Sequence, residues 1–177
     1  MKVLVTGGVR SGKSRHAESL LTTADAVTYI APGPRIDTVL DEWGDWAARI
    51  AAHRASRPAS WATLETHDLA TALATDGPVI VDCLGTWLTA VLDEHEMWET
   101  SSAAATELMR GLVAEAAAAV ERRTADTVLV TNEVGLGVVP AHRSGRLFRD
   151  LLGLVNQELA AACDEVHLVV AGRVLVL

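Results

Sequence analysis

The chain has 177 residues, half of them hydrophobic, and a formal charge of −8 from 15 Lys and Arg against 23 Asp and Glu. That length suits one domain around one core; the apolar content excludes global disorder, and the acidic balance repels a phosphate backbone, which argues against a nucleic-acid partner. Cys83 and Cys163 show no paired spacing, so neither a disulfide framework nor a zinc site is expected; a reducing cytoplasm fits, the apolar run before Thr6 is too short for a signal peptide, and no run reaches the ~18 to 20 residues that span a bilayer.

Taken in chain order, Val3-Leu4-Val5 is a short run ending in Gly7-Gly8, and residues 26–31, 79–81, 127–130 and 166–170 read the same way, as buried strands. Between them the spacing predicts helices over 13–22, 40–55, 69–74, 102–123 and 145–162; in the fourth, Leu108, Leu112, Val113, Ala116 and Val120 share one face. Apolar strands alternating with helices make an α/β fold whose mostly parallel sheet is covered on both faces. Residues 166–177, turning at Ala171-Gly172, read as a hairpin that adds an antiparallel strand at the edge. With only five Trp, one Tyr and one Phe, the core must be built from aliphatic residues and Ala. No internal repeat or linker divides the chain, so residues 1–177 are expected to form a single domain.

Gly7-Gly8-Val9-Arg10-Ser11-Gly12-Lys13-Ser14 satisfies G-x-x-x-x-G-K-S, directly after a strand and directly before a helix. Glycines let the backbone curl so that successive N–H groups face phosphate oxygens. The helix N-terminus adds its dipole, Lys13 reaches the β and γ phosphates, and Ser14 offers a hydroxyl to Mg²⁺. This motif in this context makes the fold P-loop NTPase-like, with three layers. Asp82, which ends the apolar run 79–81, is the candidate second metal ligand; a carboxylate at a strand end also serves as a helix cap or a solvated loop residue.

In the middle of the chain Arg49, His53 and Arg57 fall at i, i+4 and i+8, which stacks nitrogen-rich groups along one side of a helix that stops before Pro58. Such a cluster can be a solvated C-terminal turn complementing the helix dipole, with Trp43, Trp46 and Ile50 beneath. It can equally make His53 a nucleophile, since a neutral imidazole attacks phosphorus near pH 7 while arginines hold the departing phosphates.

Four segments together carry a resemblance: the loop from Thr6 to Arg15; Arg49-Ile50-x-x-His53-Arg54-x-x-Arg57-Pro58-x-x-Trp61-x-Thr63-x-Glu65; Asp82-Cys83-Leu84 with Trp87-Leu88; and Thr131-Asn132-Glu133-Val134-Gly135-Leu136-Gly137-Val138-Val139-Pro140. In this order they resemble the bifunctional adenosylcobinamide kinase and adenosylcobinamide-phosphate guanylyltransferase family of cobalamin biosynthesis, over essentially the whole chain. The resemblance implies two reactions. A γ-phosphoryl group passes from ATP or GTP to the hydroxyl of adenosylcobinamide, and GMP then passes from GTP to that phosphate through a covalent GMP-histidine, for which His53 is the matching residue. It further implies that Ala31, Pro32, Gly33, Arg54, Ala55, Ser56, Arg57 and Glu65 line the guanine nucleotide site, and that the protein is a homotrimer. The chain departs from the pattern at Pro32, where Thr is usual, and at Ala62, where a basic residue often stands.

Other polar residues keep two readings. Glu133 can help activate the substrate hydroxyl at the carboxyl edge of the sheet or be a turn carboxylate held by backbone N–H groups. Arg146, Arg149, Asp150, Gly153, Asn156 and Gln157 share one helix side, as a solvated face or a substrate cleft. A P-loop kinase of another small alcohol, with His53 structural, and a nucleotide-binding module without turnover are the competing functions.

Overall fold

The computed structural model describes residues 1–33 and 57–177; the whole of the predicted helix over 40–55, and with it His53, Arg54 and Ala55, lies outside the described residues, as does Ser56. Seven strands form one sheet: β1 (Lys2–Gly7), β2 (Thr28–Ala31), β3 (Ala62–Glu65), β4 (Val79–Asp82), β5 (Thr127–Val130), β6 (Glu165–Val170) and β7 (Arg173–Val176). The described helices are α1 (Lys13–Ser19), α2 (Leu69–Ala72), α3 (Leu84–Glu94), α4 (Ser102–Arg122) and α5 (Arg143–Ala161), with a 3₁₀ turn at Met97–Glu99.

The strand order is β3-β2-β4-β5-β1-β6-β7, parallel throughout except that β7 returns antiparallel along β6. The predicted α/β class and edge hairpin are therefore what the chain adopts. Ala171 and Gly172 both hold positive φ, 49° and 74°, which is the twist a two-residue hairpin turn demands.

Side-chain alternation along the strands sorts the core into two clusters. Leu4, Ile30, Val79, Val81 and Leu129 point to the face covered by α2 to α5. Val3, Val5, Tyr29, Ile80, Val128 and Val130 point to the other, where Ala17 and Leu21 of the α1 segment and Trp61 pack. Helix, sheet and helix make the three layers that the alternating pattern predicts.

Differences from the predicted elements have local causes. α1 stops at Ser19 rather than at residue 22, because Leu20 and Leu21 turn their N–H groups back to the Ala17 and Glu18 carbonyls at 3.2 and 3.1 Å, tightening the last turn. β2 begins at Thr28, where pairing to β4 starts. β3 and α3 are additions. β3 is four exposed residues at the sheet edge and carries no apolar run to find. α3 follows β4 with Cys83 alone between them, and Gly85 and Thr86 in its first turn hide the helix start. None of the described helices is long and apolar enough to cross a membrane.

Candidate active site

The carboxyl ends of the parallel strands gather the residues singled out above. Gly7 ends β1, Ala31 ends β2 beside Glu65 of β3, Asp82 ends β4, and Thr131-Asn132-Glu133 leaves β5. In open α/β sheets this edge is where ligands bind.

Gly7 begins the glycine turn under close constraint. A Cβ there would lie 2.4 Å from the Val169 carbonyl oxygen and 2.7 Å from Ser11 Oγ, so only glycine fits. Arg10 and Gly12 then adopt positive φ, 56° and 95°, and curl the chain so that α1 starts at Lys13. The turn is held from three sides: Ser11 N–H donates to the Gly8 carbonyl at 3.3 Å, Gly172 N–H in the β6–β7 turn donates to the Ser11 carbonyl at 2.8 Å, and Glu133 N–H donates to the Gly7 carbonyl at 3.1 Å. Lys13 Nζ donates to the Gly8 carbonyl at 3.2 Å, folding its ammonium back over the loop it would share with a phosphate chain. Val9 stands exposed at the loop tip.

Asp82 does not cap α3; Cys83 does, with Thr86 Oγ1 accepting from the Cys83 N–H at 3.4 Å. One Asp82 oxygen accepts the Tyr29 hydroxyl at 2.8 Å. Arg57 lies flat over the Tyr29 ring, its guanidinium carbon 3.2 Å from the centroid, and reaches Thr63 Oγ1 at 3.4 Å. Two predicted site residues, Arg57 and Asp82, are thus linked by a tyrosine that the sequence reading used for nothing. Burial above all, and then the Asp82 charge, push the Tyr29 phenol well above its ordinary value, so it stays a donor. The same two causes raise the Cys83 thiol.

The Gly33 end of the segment after β2 is held by His67, whose Nε2 lies 3.3 Å from the Gly33 carbonyl and whose Nδ1 lies 3.1 Å from Glu94 of α3. Trp87 Nε1 donates to the His67 carbonyl at 2.8 Å. Pro32 is buried.

A family model described as cobinamide kinase / cobinamide phosphate guanyltransferase matches residues 3–177. The chain belongs to this family. The bifunctional adenosylcobalamin biosynthesis protein CobU of Salmonella typhimurium LT2 is 45% identical over 183 residues, covering 97% of each chain. The protein of the same name from Escherichia coli K12 is 42% identical with the same coverage, and CobP of Pseudomonas aeruginosa is 38% identical over 97% of this chain and 94% of its own. Among solved structures, the P4 protein from bacteriophage φ6 in complex with ADP covers 98% of this chain and 52% of its own at 16% identity; its TM-score of 0.41 is too low to carry an argument.

In this cobinamide kinase / guanyltransferase chain two open questions of the sequence are answered by geometry. Glu133 bends back so that one carboxylate oxygen accepts the Gly135 N–H at 2.5 Å, the turn carboxylate of the two readings. The polar side of α5 is not simply solvated. Asn156 turns inward, its amide donating to the Asn132 carbonyl at 3.1 Å and its oxygen accepting Thr131 Oγ1–H at 2.5 Å, while Arg149 donates to the Gly135 carbonyl at 2.8 Å. These bonds lock the segment after β5 against α5. Cys83 Sγ reaches Asn132 Oδ1 at 3.6 Å, tying the β4 end into the same network. Helical spacing placed Asn156 and Arg149 on one face, but not against which loop.

Among the described residues, no group of three or more His, Cys, Asp and Glu side chains could hold a metal by itself. The hydroxyl of Ser14 and the carboxylate of Asp82 are hard oxygen donors, the type that suits Mg²⁺ alongside waters and phosphate oxygens.

Proposed function

We propose that the protein phosphorylates adenosylcobinamide with ATP or GTP and then transfers GMP from GTP to adenosylcobinamide phosphate, giving adenosylcobinamide-GDP and pyrophosphate. The observation that carries this reading is the phosphate loop, supported at the carboxyl edge of the sheet in a chain that matches the cobinamide kinase / cobinamide phosphate guanyltransferase family over residues 3–177. The fold acts as one domain, in a cytoplasmic setting that its two free thiols suit.

In the first reaction the substrate hydroxyl oxygen attacks the γ phosphorus and gives up its proton to solvent, the bond from that phosphorus to the bridging oxygen breaks, and the nucleoside diphosphate leaves. The N–H groups of Gly8, Val9, Arg10, Gly12 and Lys13 face the phosphate chain in this reading, and the Lys13 ammonium neutralises the negative charge that develops on the bridging oxygen as the bridge breaks. Bound by Ser14 and Asp82, Mg²⁺ would neutralise phosphate charge. Tyr29 keeps Asp82 oriented by donating to one of its oxygens.

In the second reaction a ring nitrogen of His53 attacks the α phosphorus of GTP and pyrophosphate departs. A phosphate oxygen of the substrate then attacks the same phosphorus and breaks the N–P bond, so that one displacement becomes two easier ones. Arg57, which follows the His53 segment in sequence, stacks on Tyr29, and Tyr29 donates to Asp82. Ala31, Pro32, Gly33, Arg54, Ala55, Ser56 and Glu65 complete the nucleotide site in this reading. Leu136 and Val138, 88% and 95% exposed, and the exposed apolar strand β7 offer surface for association into a homotrimer.

Incubation with α-labelled GTP and Mg²⁺ is expected to label the protein with an adduct that is acid-labile and alkali-stable, and His53→Ala is expected to abolish it. No label on the wild type, or equal label on His53→Ala, would overturn the guanylyl-histidine and leave a kinase of small alcohols.

A further inference from the structure

The helix that carries the phosphate loop is short. α1 spans seven residues, and Ala17 is the one buried residue within it. A helix of this length has no stability of its own in water, so the direction of its first N–H groups depends on what fastens it to the sheet. Apolar contact through Ala17 and Leu21 fixes a distance but is non-directional and leaves rotation about the helix axis loosely set.

The contact made by His16 is directional. His16 Nε2 lies 2.9 Å from Nδ1 of His167 on β6, and His167 Nε2 lies 2.8 Å from Glu165 Oε2 on the same strand. The two imidazole centroids are 5.1 Å apart with the rings inclined at 36°. His167 is only 6% exposed, so its ring nitrogens depend on these partners. The carboxylate can only accept, which puts the His167 proton on Nε2, leaves Nδ1 as acceptor and makes His16 the donor. Both ring nitrogens of His167 are thereby matched. His16 is also the residue whose backbone N–H closes onto the Gly12 carbonyl at 3.0 Å, the peptide at which the loop becomes helix.

We propose that Glu165 and His167 form a tether that, through His16, sets the rotation of α1 and so aims the N–H groups of the phosphate loop at the nucleotide. All three are positioning residues, none of them touching the reacting atoms. The inference rests on the loop being the phosphate site. It gives β6 a double task, since the same strand supplies the Val169 carbonyl against Gly7 and leads into the turn whose Gly172 N–H holds Ser11.

The test is GTP affinity by calorimetry for wild type, His167→Phe, Glu165→Ala and Glu165→Gln, each at a temperature well below its own unfolding midpoint. Glu165 is exposed, so its variants keep the core intact. His167→Phe and Glu165→Ala are expected to bind GTP about tenfold more weakly, the worth of one hydrogen bond. Glu165→Gln, whose amide oxygen accepts the same N–H, is expected to return to within about twofold of wild type. A merely structural role would lower the midpoints and leave the affinities of the folded proteins alike. That result, or equal weakening by Glu165→Gln and Glu165→Ala, would overturn the tether. Absence of GTP binding by the wild type would remove the phosphate site itself, and the tether with it.

Discussion

Replacing Gly7 by Ala adds one methyl group where β1 meets β6. The new Cβ would stand 2.4 Å from the Val169 carbonyl oxygen and 2.7 Å from Ser11 Oγ. Ser11 can swing its hydroxyl aside, but Val169 cannot yield its carbonyl, because Gly7 and Val169 are register partners in the parallel ladder. The strands must part by roughly an ångström to restore a van der Waals contact. Overpacking of this kind costs about 1 to 3 kcal/mol, and a backbone obstacle puts the cost at the upper end. For a chain of this size, about 3 kcal/mol lowers the thermal midpoint by roughly 6 to 12 °C. Gly8→Ala is the control, since nothing lies within 4 Å of its Cβ and its φ is not positive. It is expected to unfold within about 0.5 kcal/mol of wild type while still weakening GTP, because a methyl group there crowds the phosphates. Thermal unfolding without nucleotide, followed by GTP titration, separates the two. A Gly7→Ala protein with the wild-type midpoint would refute the argument from the β1–β6 contact.

Tyr29→Phe removes the donor to Asp82 and is expected to cost about 1.5 kcal/mol in urea unfolding, in the range for a hydrogen bond to a charged group; an unchanged urea midpoint would mean that Asp82 does not depend on the phenol. The thiols give a pH-dependent check. Burial first, and then Asp164, push Cys163 up to about 12, whereas an unfolded cysteine ionises near ~8.5. Only the thiolate reacts, so at pH 8.5 native Cys163 should be alkylated by iodoacetamide on the order of a thousandfold more slowly than in denaturant, with Cys83, also raised, slowed as well. Native rates close to those of the unfolded chain would contradict the raised ionisation of both half-buried thiols.

How much of this was legible beforehand depended on whether a residue's partners were local. The phosphate loop was, because its glycines, Lys13 and Ser14 are consecutive and its flanks announce a strand and a helix. So were the strands 79–81 and 127–130, each an apolar run buried on both faces. β3 was not: Ala62–Glu65 is exposed at the edge and owes its extended form to pairing with β2 rather than to hydrophobicity. α3 was hidden because Gly85 and Thr86 stand in its first turn so soon after β4, although Leu84, Leu88 and Val91 keep a helical spacing. In the site, Tyr29 gave no signal; it reads as a core aromatic in a strand, and only the fold brings its hydroxyl to Asp82 and its ring under Arg57. His167 likewise reads as a strand residue, and Glu165 as the residue before that strand, until β6 is laid beside α1.

β1 lies inside the sheet, with Lys2 opposite Thr127 on one side and Val3 opposite Glu165 on the other. It is therefore flanked by partners synthesised much later than itself, and closing such long loops is slow. Until β5 and β6 exist, Val3, Leu4 and Val5 have no neighbours to bury them and the glycine turn has nothing beneath it. Nucleotide affinity should consequently emerge late and all at once as the chain grows, so a nascent chain halted between α4 and β6 would present a perfect phosphate motif with no capacity to hold phosphate.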